Sequence, residues 1–351
     1  MALTIITGPD QAPIAPLAGK TIAVLGFGNQ GAAHALNLRD SGLDVLVANR
    51  ADSDNCRRAI AAGFPPMAIE AAVGQADLVI VALPDEAQPD VWPGRIEPHL
   101  RAGATVGFLH GFALRYELIR PPADVNVIMV APKGPGRTLR ARFQAGLGIP
   151  CLFAVHQQAP PPADGPGAGA ADAEAIGLAW AHGIGCARAA VVYTTVADET
   201  ETDLFGEQSV LCGGMTELIL AAFGVLVEAG YPPELAYLEC CHEVKQVADL
   251  VYERGLSGMT SAISNTAEFG AYASGPVVVD EATRARLRGI LDRVRDGSFA
   301  ATLRADHARG FPWFEERRRI LREHPIEAAG STVRSWMGAG AAAPAPSPSA
   351  S

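Results

Sequence analysis

The sequence predicts an α/β protein in two parts: a doubly wound parallel sheet, then an all-helical domain. Three observations predict it. Short β-branched runs alternate with Ala- and Leu-rich helical stretches from Thr21 to about Thr195. A glycine fingerprint stands between the first of these runs and the first helical stretch. Beyond Thr195 strand signals nearly vanish, and helical periodicity continues to about Glu323. Strand–helix alternation implies a parallel sheet. The change of texture sets the expected domain boundary near Thr195.

The strand candidates, in order, are Thr21–Gly26, Asp44–Asn49, Asp77–Leu83, Thr105–Leu109, Asn126–Ala131, Cys151–Val155 and Ala189–Tyr193. Several are apolar without alternation, as expected of strands covered on both faces. Residues 1–195 are thus read as a dinucleotide-binding domain and 196–334 as the helical domain. Two stretches lie outside this plan. Ala159–Ala171 (APPPADGPGAGAA) reads as a mobile surface loop. The low-complexity end, residues 335–351, carries too little apolar bulk to pack and is expected to be disordered.

Composition narrows the class. With 49% apolar and 19% charged residues in 351, the chain can build a large core without staples. A net charge of −10 argues against a nucleic-acid partner, which calls for a basic stripe. Met1–Gly19 holds no Lys or Arg and no long apolar stretch, unlike a secretory signal. The longest apolar segment read from the sequence, Leu218–Val227, is too short for a bilayer, so no membrane partner is expected. The six cysteines show no CxxC spacing, which suits reduced thiols in a cytoplasmic protein.

The fingerprint is TIAVLGFGNQGAAHALNL. Gly26, Gly28 and Gly31 stand in the G-x-G-x-x-G arrangement, with Phe27, Asn29 and Gln30 between them. The first glycine permits the tight turn and the second lets backbone approach a pyrophosphate. The third lets helix and strand pack closely, with the helix N-terminus facing the phosphates. Strand before and helix after predict a Rossmann-type dinucleotide site, with a Gly-rich structural turn as the plain alternative. The next strand ends in Asn49-Arg50 rather than in the acid that usually binds a ribose 2′-OH. Arg50 suits a 2′-phosphate, with Ser53 as donor and Arg57 or Arg58 as further charge. Asp52 and Asp54 in the same loop oppose it. NADPH is therefore the expected cofactor, with NADH as the alternative.

Two carboxylate pairs follow. Asp203 and Glu207 stand one helical turn apart, as do Glu239 and Glu243. Like charges at this spacing cost a helix stability, yet both pairs have apolar flanks. Converging, they would make an oxygen-rich site for hard ions, two Mg²⁺ above all. Exposed acidic helix faces are the plain alternative. His110 (GFLHGF) and Lys133 (VIMVAPKGPG) sit at carboxyl ends of strands, where open α/β sheets bind ligands. A structural histidine and a surface lysine are the plain alternatives there.

Taken together, these segments resemble ketol-acid reductoisomerase (acetohydroxyacid isomeroreductase) of the short-chain, class I type. The carriers are GFGNQGAAHALNLRDSG, VALPDEAQ, LHGF, DVNVIMVAPKGPG, GIPCLFAVHQ, ETETDLFGEQSVLCGG, YLECCHEVK and AISNTAEFGAYASGP, spread over Leu17 to about Arg334. The resemblance implies two Mg²⁺ on Asp203, Glu207, Glu239 and Glu243, with Asp203 bridging. It implies that Ser264 meets the substrate carboxylate. His110 and Lys133 match the polar pair beside nicotinamide and metals, and Glu207 joins them as a catalytic residue. Leu83, Pro84, Asp85 and Gly136 join the cofactor contacts. The implied reaction is Mg²⁺-assisted alkyl migration in 2-acetolactate or 2-aceto-2-hydroxybutyrate, then NADPH reduction to a 2,3-dihydroxy acid in branched-chain amino-acid synthesis. The implied helical domain is knotted and pairs with its twin. A homodimer or higher homo-oligomer would then share the site, with Glu239, Glu243 and Ser264 from the neighbouring subunit. Arg137, where the family pattern has His, and an adenosine loop with two aspartates are departures. Three rivals stand beside this reading: a divergent copy acting on another acetohydroxy acid, a metal-independent Rossmann dehydrogenase, and a non-catalytic scaffold.

Overall fold

A computed structural model describes residues 3–160 and 172–338. The proposed Ala159–Ala171 loop and the C-terminal tail therefore lie largely outside the described residues. Ser335 and Trp336, counted with the tail, close the last helix. The chain divides into two units, Met1–Thr202 and Asp203–Ser351.

The first unit runs β1 (Ile5–Ile6), β2 (Thr21–Leu25), α1 (Asn29–Asp40), β3 (Asp44–Ala48), α2 (Asp54–Ala61), α3 (Ile69–Val73), β4 (Leu78–Val81) and α4 (Gln88–Val91). It continues through β5 (Thr105–Phe108), α5 (Phe112–Arg115), β6 (Asn126–Pro132), α6 (Gly136–Gln144), β7 (Cys151–Gln157), α7 (Ala173–Gly183) and β8 (Val191–Tyr193). Helix α8 (Val196–Gly206) contains the division between the units. All seven expected strands form. The eight-stranded sheet has the order β1-β8-β7-β6-β5-β4-β2-β3.

The sheet is not wholly parallel, as the alternation had implied. Strands β3, β2, β4, β5 and β6 are parallel, but β7 runs antiparallel to β6, and β1 antiparallel to β8. β1 was not expected, being a two-residue edge strand with no periodicity to read. The central strands β4 and β5 are buried along their whole length, which explains their unbroken apolar runs. Each face of the sheet has its own core. On one face Trp180 of α7 fills the space a side chain at Gly107 would take: a Cβ there would stand 2.5 Å from its ring. The same indole donates to His34 Nδ1 of α1 at 3.1 Å. Burial holds the His34 imidazole down at about 3, so it is neutral.

After α8 come a π turn (Glu207–Leu211), α9 (Gly213–Glu228), α10 (Pro233–Tyr237) and a second π turn (Leu238–His242). Then follow α11 (Val244–Thr260), α12 (Asn265–Val278), α13 (Glu281–Arg295), α14 (Ser298–His307), α15 (Pro312–Arg322) and α16 (Pro325–Trp336). Helix α11 is broken at Gly255, whose φ is 69°. The second unit has a small core of Phe223, Ala236, Tyr237, Ile326, Ala329 and Val333. Helices α11 and α12 bury no residue at all. Tyr252, Leu256, Phe269 and Val277 are each more than 70% exposed. A patch of this kind marks an interaction surface.

One sequence reading needs correction here. The helical run Val196–Glu228 contains a window with mean hydropathy 2.1, only 6% buried, long and apolar enough to cross a membrane by composition. The apolar stretch is longer than Leu218–Val227, because Val210, Leu211, Cys212 and Met215 extend it toward the N-terminus. Length and composition are shared by membrane spans and by helices that pack in assemblies, so this feature alone assigns neither.

Candidate active site

The fingerprint glycines divide the labour as their chemistry requires. Gly26 has φ 104°, and a Cβ there would stand 2.5 Å from the Ala82 carbonyl oxygen. A Cβ at Gly31 would stand 2.3 Å from the Gly26 carbonyl oxygen. At Gly28 it would meet nothing within 4 Å. So the first and third glycines close the β2–α1 turn, and the second leaves open space beside the α1 N-terminus. No side chain caps that terminus, so its N–H groups remain for an anion. This cradle fits a pyrophosphate.

The segment around Gly136 is packed onto the fingerprint. A Cβ at Gly136 would stand 2.0 Å from the Asn29 carbonyl oxygen, and Gln30 Nε2 donates to the Gly134 carbonyl at 2.8 Å. Leu83, Pro84 and Asp85 follow β4 directly. Gln88, buried, donates through Nε2 to the Leu83 carbonyl at 3.0 Å and to Asp85 Oδ1 at 3.1 Å. It holds that loop in shape and was not singled out from the sequence.

In the adenosine loop, Ser53 caps α2: its Oγ accepts from Cys56 N at 3.1 Å and donates to the Arg50 carbonyl at 2.8 Å. Arg57 is ion-paired with Asp54 and also donates to the Asp52 carbonyl. Arg58 Nη1 donates to Asn55 Oδ1 at 3.2 Å, so three of the groups expected to meet a 2′-phosphate are engaged nearby, leaving that contact to Arg50.

His110 follows β5 and Lys133 follows β6, both at carboxyl ends of parallel strands. The structure joins them through a residue the sequence reading passed over. Glu199 of α8 is 1% exposed. Its carboxylate lies 3.0 Å from His110 Nδ1, accepts from Lys133 Nζ at 2.8 Å and from Gly111 N at 3.2 Å. Burial pushes its pKa up, but the hydrogen bond and charge of His110, with the charge of Lys133, outweigh burial and hold it at about 2. Glu199 is therefore ionised, and since a carboxylate only accepts, His110 Nδ1 carries the proton. Close packing fixes α8 here: a Cβ at Gly111 would stand 2.3 Å from Thr200 Oγ1. The signal was in the sequence, since the spacing of Asp203 and Glu207 extends one turn back to Glu199.

In the second unit, Asp203 lies on α8, Glu207 opens the first π turn, Glu239 lies in the second, and Glu243 follows it. The Cys212 thiol is pushed up by burial and by the charges of Glu207 and Asp203. Glu239 acts similarly on Cys240, after burial. The donors are hard oxygens, which fit Mg²⁺. Among the described residues of this unit, no three acids, histidines or cysteines come close enough to share one ion. A single chain thus does not bring the four carboxylates of this unit together. Ser264 caps α12, its Oγ accepting from Ala267 N at 3.2 Å.

Comparison with known proteins matches the chain in two parts. Residues 16–190 match the acetohydroxy acid isomeroreductase NADPH-binding domain, and residues 196–339 the ketol-acid reductoisomerase C-terminal domain. An NADH-preferring ketol-acid reductoisomerase from an uncultured archaeon is 38% identical, with TM-score 0.89, covering 95% of this chain and 99% of that one. A semialdehyde dehydrogenase NAD-binding protein from Cupriavidus necator is 20% identical, with TM-score 0.58 over 79% of this chain and 99% of that one. A putative oxidoreductase from Jannaschia sp. CCS1 is 19% identical, with TM-score 0.55 over 79% and 97%. The last two share the fold alone. With both parts of the sequence matched and a solved member aligned over nearly its whole length, the chain belongs to the ketol-acid reductoisomerase family.

Proposed function

We propose the form that the family's reaction takes on this chain. As a member, the protein is an NAD(P)-dependent ketol-acid reductoisomerase of branched-chain amino-acid biosynthesis. The proposed substrates are 2-acetolactate and 2-aceto-2-hydroxybutyrate, and the proposed metals are two Mg²⁺ held by Asp203, Glu207, Glu239 and Glu243. The observation that carries this reading is α8. It presents Glu199, bound to His110 and Lys133, then Asp203, and Glu207 opens the π turn that follows it. The partner of the polar pair and the first pair of proposed metal carboxylates thus follow one another along the chain at four-residue spacing.

When bound, Mg²⁺ supplies Lewis acidity to the substrate's hydroxyl and carbonyl oxygens, and the nicotinamide supplies hydride. The chain's own residues do the rest. Glu207 takes the hydroxyl proton that must leave before the alkyl group migrates. Lys133, paired with Glu199, donates to the substrate oxygen on which negative charge collects. His110, its Nδ1–H held by Glu199, presents Nε2 in a fixed orientation. Ser264 and the α12 N-terminus receive the substrate carboxylate. Glu239, Glu243 and Ser264 come from a second copy, seated on the apolar faces of α9, α11 and α12. The exposed apolar surface and the separation of the carboxylates within one chain support that assembly. The protein works in the cytoplasm and uses NADPH with a modest preference, since Arg50 alone is left to meet the 2′-phosphate.

The test is turnover of 2-acetolactate with NADPH and Mg²⁺, followed by loss of nicotinamide absorbance. Activity should vanish with chelator and return with Mg²⁺. Turnover indifferent to chelator would replace this reading with a metal-independent dehydrogenase.

A further inference from the structure

Both turns that carry the proposed metal carboxylates have the same unusual backbone. Cys212 N–H donates to the Glu207 carbonyl at 2.9 Å, and Glu243 N–H to the Leu238 carbonyl at 3.2 Å. Each bond reaches five residues back, which makes a π turn. Such a turn holds one residue more than an α turn, and one residue rotates everything beyond it by about 100°.

At the first turn the sequence cause is visible. A Cβ at Gly213 would stand 2.1 Å from the Gln208 carbonyl oxygen, and one at Gly214 would stand 2.1 Å from the Ser209 carbonyl oxygen. These are backbone atoms and cannot swing aside. Only residues without a Cβ let the carbonyls of the widened turn sit where they do. Beyond the turn, α9 is anchored through Phe223 to Ala236, Tyr237 and α16. The core therefore fixes the direction of α9, and the π turn fixes the direction in which Asp203 and Glu207 leave it.

We propose that Gly213 and Gly214 are positioning residues: they hold the π turn that aims Asp203 and Glu207 at a divalent cation. This deepens the metal reading above and rests on it. Without the extra residue the same carboxylates would point about 100° away, with every side chain unchanged.

The experiment is calorimetric titration of Mn²⁺ into the full chain without nucleotide. Gly213→Ala and Gly214→Ala should each bind about 10- to 100-fold more weakly, the usual cost of displacing a metal ligand's support. Gly224→Ala, in the same helix with nothing within 4 Å of its Cβ, should bind as the parent does. If the two alanine variants fail to fold, deletion of the exposed Val210 decides. It removes the extra residue, lets the helix continue as α, and should fold yet bind Mn²⁺ weakly. Parent-like binding by the folded alanine variants, or by the deletion, overturns the inference, provided Glu207→Gln does lose Mn²⁺. Parent-like binding by Glu207→Gln instead overturns the metal reading beneath it.

Discussion

Glu199→Gln is the most informative single change in the first unit. Glutamine keeps the shape and the acceptor oxygen but removes the charge that faces Lys133 and His110. The carboxyl is held at about 2 against its ordinary 4.5. At 1.36 kcal/mol per unit, ionisation of Glu199 contributes about 3 kcal/mol of stability at neutral pH. The sign follows from the direction of the shift. A depressed carboxyl stabilises fully above its unfolded value, and that stability is lost as pH falls through the folded value. The difference between parent and variant should therefore be about 3 kcal/mol at pH 7 and shrink between pH 4.5 and pH 2. Urea unfolding followed by tryptophan emission reads it, since Trp92 and Trp180 are buried in the first unit. Turnover should fall by about 100-fold as Lys133 and His110 lose their orientation. Equal urea midpoints at pH 7, or a difference that does not change with acid, would refute the assignment of Glu199 as the ionised hub.

Three further outcomes are expected. Asp54→Asn releases Arg57 and should raise the NADPH to NADH ratio of kcat/KM by about two- to fivefold, the worth of an exposed pair; steady-state kinetics with both cofactors checks it. Gly31→Ala should destabilise the first unit by about 1–3 kcal/mol, because its Cβ overlaps the Gly26 carbonyl. Gly28→Ala should leave melting unchanged and weaken nucleotide binding in a fluorescence titration. Phe269→Lys, placed on the exposed apolar face, should shift the assembly toward monomer in sedimentation and remove activity in proportion.

The sheet could be read from the sequence because its central strands are buried on both faces and leave unbroken apolar runs, as Leu78–Val81 does. Strand direction could not, because periodicity records burial and not polarity. The connection through α6 returns β7 antiparallel with no composition signal. The fingerprint was readable because each glycine answers to a local steric need. Glu199 was missed because its role depends on His110 and Lys133, some 89 and 66 residues earlier in the chain. The π turns were invisible, since Gly213-Gly214 inside an apolar stretch looks like weak helix rather than a widened turn. The carboxylate pairs showed in the four-residue spacing, but spacing along a helix says nothing of where two such pairs would meet.

The small core of the second unit has a kinetic consequence. A core cluster of six residues does not reach α11 and α12, which bury nothing of their own. Refolding from denaturant should therefore divide in time. The sheet unit forms first, at a rate independent of protein concentration. If the proposed second copy covers these helices, the second unit locks into place in a slower phase whose rate rises with concentration. Dilution alone should then expose this unit to proteases while the sheet stays resistant. For such a chain, the concentration at which it is made decides how much of it finishes folding.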